Sequence, residues 1–427
     1  MERRSAGTNL KSIIVGSIGN LVEWYDWYTY PSFALFFAKS FFPSGDQTAQ
    51  LLNAAAAFAV GFLMRPIGGW LLGLYADRVG RRPALILSMI LMAVGSAGVG
   101  LIPGFSTIGV MAPILLVLAR LLQGFSVGGQ YAASASYLSE VAKHGRRGFW
   151  TSFHYVTLLL GLLLAIGLLF VLQHTVTNKE IAAWAWRIPF FFGAALAIGA
   201  LLITLSVEES ASFAASRNTA QPASHTALFA RHWRELLIVF LITMAGTIAF
   251  QTYGTYMPKY LVNTAGFSPD LSTEITMAAL VIYTLIHPPM GWLSDKLGRK
   301  TMLIAFSVAG LFATVPIMTT LATTTSPYAA FGLLLLGMVL LCPYTAVSAI
   351  FKAELFPTEI RAMAVGISFA TSVSIFGGTS ELIALSFKKA GHESWFYWYM
   401  TASFALSLVA AIAMRRPADA SIEPRQS

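Results

Sequence analysis

Glu23 and Asp26 stand three residues apart in a stretch that is otherwise apolar and aromatic, so a helix places both on one face. Two carboxylates close together in low dielectric cannot both ionise cheaply, and one of them is expected to hold and exchange a proton. Arg65 (followed by Pro66), Arg120 and Lys259 (preceded by Pro258) are cations in equally apolar surroundings. A guanidinium offers a planar fork to a carboxylate, and an ammonium offers a compact point charge. Each proline removes a backbone donor, so local groups can turn toward a cavity. Packing never requires an ionisable group inside a long apolar run, which makes each of these a functional candidate. Glu381 is the one acid well inside the apolar helices of the second half, where it either balances Lys259 or lines an outer vestibule. Tyr28, Gln251, Tyr253 and Tyr256 complete the expected lining. Together these residues spell binding of a carboxylate-bearing solute with proton exchange beside it. Other readings remain open: either acid of the first pair can simply neutralise Arg65 or Arg120, and Lys259 can reach for the outer interface. Arg187, beside Pro189, is read as a structural residue, and His154 and His287 as helix contacts.

The elements that hold these groups are helices that cross a bilayer. Of 427 residues, 56% are hydrophobic and 11% charged, and the mean hydropathy is +0.67, whereas charged residues make up about 25% of a soluble domain. Apolar segments of about 20 residues or more fall near 12–38, 50–76, 84–102, 108–140, 149–172, 185–206, 233–262, 271–294, 301–321, 327–353, 361–387 and 394–414. The expected fold is an all-α membrane protein with twelve transmembrane helices in two pseudo-symmetric six-helix bundles. The expected division is residues 1–206, a hydrophilic linker at 207–232, and residues 233–427 including a polar tail. Twenty of the 28 Lys and Arg fall on the side that carries both termini and four on the other, so the termini are expected in the cytoplasm. That distribution explains the net charge of +9 without nucleic acid. Arg3, Arg4 and Lys11 precede an apolar run too long for a signal peptide, so an uncleaved first helix is expected. The single cysteine, Cys342, excludes an internal disulfide. Neither a metal-ligand spacing, nor a phosphate loop, nor a nucleophile constellation is visible, and no enzyme activity is expected.

The chain repeats itself. Gly73-Leu74-Tyr75-Ala76-Asp77-Arg78-Val79-Gly80-Arg81-Arg82 returns as Gly291-Trp292-Leu293-Ser294-Asp295-Lys296-Leu297-Gly298-Arg299-Lys300, offset by 218 residues. Glu140 with Arg147 returns as Glu354 with Arg361, offset by 214. Two unrelated signals at nearly one offset indicate a duplicated chain. The first motif resembles the signature between the second and third helices of the major facilitator superfamily. Further stretches narrow the resemblance to its metabolite:H+ symporter family: Gly19-Asn20-Leu21-Val22-Glu23-Trp24-Tyr25-Asp26, Arg65-Pro66-Ile67-Gly68-Gly69, Gln123-Gly124-Phe125-Ser126-Val127-Gly128-Gly129 and Trp186-Arg187-Ile188-Pro189-Phe190. Within that family, Tyr256 to Gly266 and Ser326 to Gly332 are most similar to members that carry 2-oxoglutarate.

The resemblance implies a bacterial inner-membrane secondary transporter. It would import a dicarboxylate such as 2-oxoglutarate with protons by alternating access, as a monomer. The proton gradient would be its energy source, with no cofactor or metal. A tricarboxylate such as citrate, an aromatic acid or a zwitterionic osmolyte is the alternative cargo. Family members that take zwitterions carry a neutral residue in place of Lys259, which argues for a diacid. By the same resemblance, Asp77, Arg78, Arg81, Glu140, Arg147, Asp295, Arg299, Glu354 and Arg361 form a network that shuts the cytoplasmic side. The chain departs from its family at Gln130, where the resembling members have Glu. An amide there mimics a protonated acid and cannot ionise.

Overall fold

The computed structural model describes residues 2–43, 45–79, 81–127, 146–205, 225–356 and 361–414. Within them it places side chains except at 2–18, 73, 76–78, 81–82, 225–231 and 361–363. The principal helices are α1 (Glu2–Phe41), α2 (Gln47–Val79), α3 (Arg81–Leu101), α4 (Met111–Val127), α5 (Arg147–Thr175) and α6 (Ile188–Leu205). They continue with α7 (His225–Phe250, a π-turn Gln251–Tyr256, then Met257–Asn263), α8 (Pro269–Leu297), α9 (Arg299–Thr323) and α10 (Pro327–Glu354). Last come α11 (Arg361–Ser372, a π-turn Val373–Gly377, then Gly378–Lys389) and α12 (Ser394–Ala413). Among the described residues, ten segments are long and apolar enough to cross a membrane, and Met111–Val127 is a shorter apolar helix. With α1, whose apolar stretch is diluted by Glu23 and Asp26, they account for the twelve segments expected from hydropathy.

The outside of this bundle is apolar and the inside holds its polar groups. Phe312, Leu101, Leu285 and Trp70 are each about two-thirds exposed or more, while Arg120, Gln123, His287 and Lys352 are wholly buried. Such large apolar surfaces face lipid rather than water. Helix ends follow local chemistry. Ser268 and Ser326 accept hydrogen bonds from the first turns of α8 and α10, each with proline at the opening position. Gly298 adopts φ 84° in the tight turn from α8 into α9, a conformation that disfavours residues with a Cβ. Lys300 then donates to the carbonyls of Ile412 and Met414 at 2.6 and 2.7 Å, satisfying the end of α12.

Close backbone approaches set where the charged side chains meet. A Cβ on Gly124 of α4 would lie 1.9 Å from the Gly61 carbonyl of α2, and one on Gly68 would lie 2.0 Å from the Phe125 carbonyl. Small residues thus let α2 and α4 touch, and Arg65 and Arg120 lie within this contact.

The two halves of the chain are joined at both ends. At the end carrying the α8–α9 turn, Asp295 accepts from the backbone N–H groups of Gly148 and Phe149 at 2.7 and 3.0 Å. A carboxylate from α8 therefore caps the positive start of α5. Gly148 and Gly291 meet so closely that a Cβ on either would lie 2.5 Å from the other's carbonyl. At the opposite end Asn178 donates to Asp270 at 2.8 Å, and Asn263 donates to Thr48 at 3.3 Å. His174 lies 3.9 Å from Glu274. Contacts between the halves thus occur at both ends of the bundle among the described residues.

Candidate functional site

Arg65 and Arg120 form the core of the site in the first half. Arg65 packs its guanidinium 3.9 Å from the centroid of Trp27 and 4.4 Å from that of Phe62. Arg120 lies 4.4 Å from the same Trp27 ring and 4.5 Å from Tyr30. One indole thus serves two guanidiniums, and its electron-rich face offsets part of the cost of burying them. Burial of both is essentially complete, with relative exposures of 5% and 0%. Nonetheless Nε and Nη2 of each arginine find no hydrogen-bond acceptor among the described residues. Buried donors that belong to a cation and lack an acceptor are costly, and an anion placed here would satisfy them.

The carboxylates of α1 lie alongside. Arg120 Nη1 donates to Gln123 Oε1 at 2.8 Å, and Gln123 Nε2 donates to Asp26 Oδ2 at 2.7 Å. The amide stands between cation and carboxylate and couples them without direct contact. Glu23 is buried within electrostatic reach of Arg65 and Asp26, and its Oε2 has no hydrogen-bond partner among the described residues. No direct ion pair joins either acid to either arginine within 4.0 Å among the described residues, although simple neutralisation was one expectation. Gln123 escaped the sequence reading as a site residue. Its spacing of three from Arg120 was the available signal.

The second half contributes a different arrangement. Lys259 donates to Glu381 Oε2 at 2.5 Å, and their side chains are 2% and 6% exposed. Lys259 therefore does not reach the outer interface, and of the two roles open to Glu381 the structure shows the counter-ion. Tyr256 is buried beside them, its hydroxyl without a hydrogen-bond partner among the described residues, and Gln251 donates to the Gly377 carbonyl of α11 at 3.3 Å. Both lie in a π-turn ending just before Pro258, and α11 has its own π-turn ending at Gly377. Such turns shift the ladder by one residue and often mark functional sites. The second one brings Gly378 against Phe62, where a Cβ would lie 2.6 Å from the Phe62 Cβ. Since Phe62 also packs on Arg65, the two charged clusters are linked through α2 and α11. Tyr30, on Arg120, lies within electrostatic reach of Glu381 as well.

Tyr28 stacks on Trp24 at 5.4 Å and approaches Phe250 of α7 at 6.1 Å, which places it between the halves. Tyr253 departs from expectation. Its ring packs where a Cβ on Gly337 would be 2.6 Å away, and it lines a small recess with Gly310, Thr314 and Phe404 inside the second half. Arg187 behaves as the structural reading expects, donating to the Ile102 carbonyl at 2.9 Å and lying over Trp186. His287 stacks on Tyr155 of the other half at 5.8 Å, and its Nε2 is 2.9 Å from the Thr345 hydroxyl.

Of the network expected at the cytoplasmic side, Arg299 pairs with Asp295 at 2.8 Å and approaches Glu354 at 3.7 Å, and Arg147 opens α5 where Asp295 caps it. The side chains of Asp77, Arg78, Arg81 and Arg361, and all of Glu140 and Gln130, lie outside the described residues. Lys352, counted with the solvated cytoplasmic cations on charge distribution alone, is instead wholly buried.

A bundle of apolar helices from a duplicated chain, with buried charges between two bridged halves, defines a membrane transporter of the facilitator type. The model of the Major Facilitator Superfamily matches residues 16–380, and the chain belongs to that superfamily. Within it the chain is 47% identical over 405 residues to the Alpha-ketoglutarate permease of Escherichia coli (strain K12), covering 95% of this chain and 93% of that protein. It is 31% identical over 422 residues to the Citrate-proton symporter of Klebsiella pneumoniae, covering 98% and 95%. It is also 31% identical over 420 residues to the Proline/betaine transporter of Salmonella typhimurium (strain LT2), covering 96% and 84%. The crystal structure of the D-xylose-proton symporter superposes with a TM-score of 0.75 over 96% of this chain and 97% of that one, at 19% identity. That last likeness shows the fold, the two six-helix bundles anticipated from the repeat.

Proposed function

We propose that this chain is a proton-coupled symporter that carries a dicarboxylate such as 2-oxoglutarate into the cell by alternating access. The observation that carries the reading is the buried, acceptor-poor pair Arg65 and Arg120 facing a second half whose Lys259 is already matched by Glu381. One carboxylate of the substrate takes the guanidinium donors in bidentate fashion. The other competes with Glu381 for Lys259, and Glu381 is then better protonated than left as a buried, unpaired anion. Substrate and proton thereby enter together. Asp26 and Glu23 offer further proton positions, with Gln123 relaying the state of Asp26 to Arg120. The likeness to the Alpha-ketoglutarate permease supports the substrate class. The Citrate-proton symporter, among the relatives, supports the coupling ion.

In this reading the energy source is the proton gradient, without cofactor or metal, and the protein works as a monomer rather than as an enzyme. It resides in the bacterial inner membrane with both termini in the cytoplasm, in line with its Lys and Arg distribution. Carboxylates and hydroxyls such as Asp295, Glu354, Asp270 and Thr48 break and re-form contacts as the halves rock.

A competition panel tests the substrate class. Proteoliposomes containing the protein are expected to take up labelled 2-oxoglutarate, to be inhibited by five-carbon diacids, and to ignore betaine and proline. Inhibition by betaine as strong as that by unlabelled 2-oxoglutarate would overturn the diacid reading.

A further inference from the structure

At Phe62 and Gly378, α2 of the first half touches α11 of the second. A Cβ added to Gly378 would lie 2.6 Å from the Phe62 Cβ and 2.9 Å from its Cγ, about 1 Å inside an ordinary carbon contact of about 3.5 Å. The position of a Cβ is fixed by its backbone, so an added one could be accommodated only by moving a helix. The contact is braced from both sides. The neighbouring Gly377 carbonyl accepts from Gln251 of α7 at 3.3 Å, and a Cβ on Gly377 would meet Thr247 Cγ2 of α7 at 2.7 Å. Phe62 packs in turn on Trp27 and Phe58, with ring centroids 4.8 and 5.0 Å away.

Charged groups stand on either side of this seam. Arg65 follows Phe62 by three residues and Glu381 follows Gly378 by three, so each shares a face with its seam residue. Successive helices cross the bundle in alternate directions, so α2 and α11 run opposite ways. These steps, about 4.5 Å each, therefore lead from the seam toward opposite ends. Arg65 keeps its guanidinium 4.4 Å from the Phe62 ring, with Nε and Nη2 lacking an acceptor among the described residues. Lys259 lies 2.5 Å from Glu381 Oε2. A molecule that engages Arg65 at one end and Lys259 at the other must cross the seam, and the closeness of the helices there fixes how far apart its ends can be. We infer that Phe62 and Gly378 set the chain length of the diacid this carrier accepts. The inference rests on the dicarboxylate reading above, and the ligand class is a 2-oxo diacid of one preferred length. One added methylene lengthens a diacid by rather less than a carbon–carbon bond of about 1.5 Å, close to the distance by which a Cβ on Gly378 would part the helices.

The test is Gly378→Ala in the full-length protein, purified and assayed by competition of 2-oxo diacids of four to seven carbons with labelled 2-oxoglutarate. The unsubstituted protein is expected to hold five carbons at least about tenfold better than six, since one methylene in a close-fitting site discriminates about 10- to 200-fold. In Gly378→Ala that preference is expected to fall to within about threefold or to reverse. Gly377→Ala is the control, because its Cβ crowds Thr247 within the second half and leaves the seam alone. Its yield is expected to suffer comparably while its five-to-six ratio stays within about twofold of the original. An unchanged ratio in Gly378→Ala, or an equal change in Gly377→Ala, would overturn the inference. If Gly378→Ala does not accumulate, the series on the unsubstituted protein decides: a single optimum with losses of about tenfold on both sides supports a fixed span, and affinity that is flat or rises steadily with length refutes it. Failure of every 2-oxo diacid to bind the unsubstituted protein would instead overturn the dicarboxylate reading itself.

Discussion

Lys259→Ala is expected to abolish uptake and to lower stability by up to about 3–5 kcal/mol, because it leaves Glu381 buried without its counter-ion, either as an unpaired charge or obliged to take up a proton. Both side chains of the pair are almost fully buried and their atoms are 2.5 Å apart, so neither can turn to solvent. The companion experiment separates structure from function. In Lys259→Leu with Glu381→Leu, charge and counter-charge leave together, and replacing a buried pair by apolar groups is commonly neutral or stabilising. Thermal unfolding in detergent should therefore return to that of the unsubstituted protein within about 1 kcal/mol, while uptake stays absent. A double variant that transports at the original rate would show that the pair only maintains the fold.

Arg65→Lys is the second large effect. The substitution keeps the charge and removes the planar fork, and the shorter reach of the remaining donors leaves the ammonium unable to bind both oxygens of a carboxylate. Dicarboxylate affinity is expected to fall by about a hundredfold for Arg65→Ala, within the 2–5 kcal/mol range for losing one partner of a buried charged contact. For Arg65→Lys the expected fall is at least about tenfold. Trp24, Trp27 and Phe62 surround the guanidinium, and a flat cation stacks on such rings better than an ammonium does. Equilibrium binding of labelled 2-oxoglutarate to purified protein reads this directly. Lysine binding as tightly as arginine would remove the bidentate contact from the account.

Much of this was legible in the chain itself. Helix positions follow from the scarcity of charge over membrane-length runs, and the internal repeat fixes the number of halves, since neither property depends on contacts between distant residues. The buried ions stood out for the same reason, because a lone Arg65 or Lys259 contrasts with an apolar run. What pairs with what was not legible. Lys259 and Glu381 are 122 residues apart, and only the packing of α7 on α11 decides that they meet. The place of Tyr253 in a recess of the second half was not legible either, because it stands in a π-turn, which periodicity at 3.6 residues cannot anticipate. Lys352 was passed over for a related reason. Its place near a helix end suggests solvent, whereas the neighbouring helices bury it completely. Gln123 looked like part of a packing motif with Gly124, and its role between Arg120 and Asp26 depends on α1 lying against α4.

The central claim is that protons drive a dicarboxylate through this carrier, and the charge arithmetic makes it testable. Each elementary charge crossing 100 mV carries about 2.3 kcal/mol. A dianion entering an inside-negative cell with one proton would move against the field, with two it would cross as a neutral set, and with three the potential would drive it. The decisive measurement is the reversal potential of 2-oxoglutarate flux in proteoliposomes with imposed pH and substrate gradients. The account predicts a stoichiometry of two or three protons per dianion and accumulation above the external concentration that collapses with a protonophore. A reversal potential corresponding to one proton or none, or flux that only equilibrates the substrate, would contradict it.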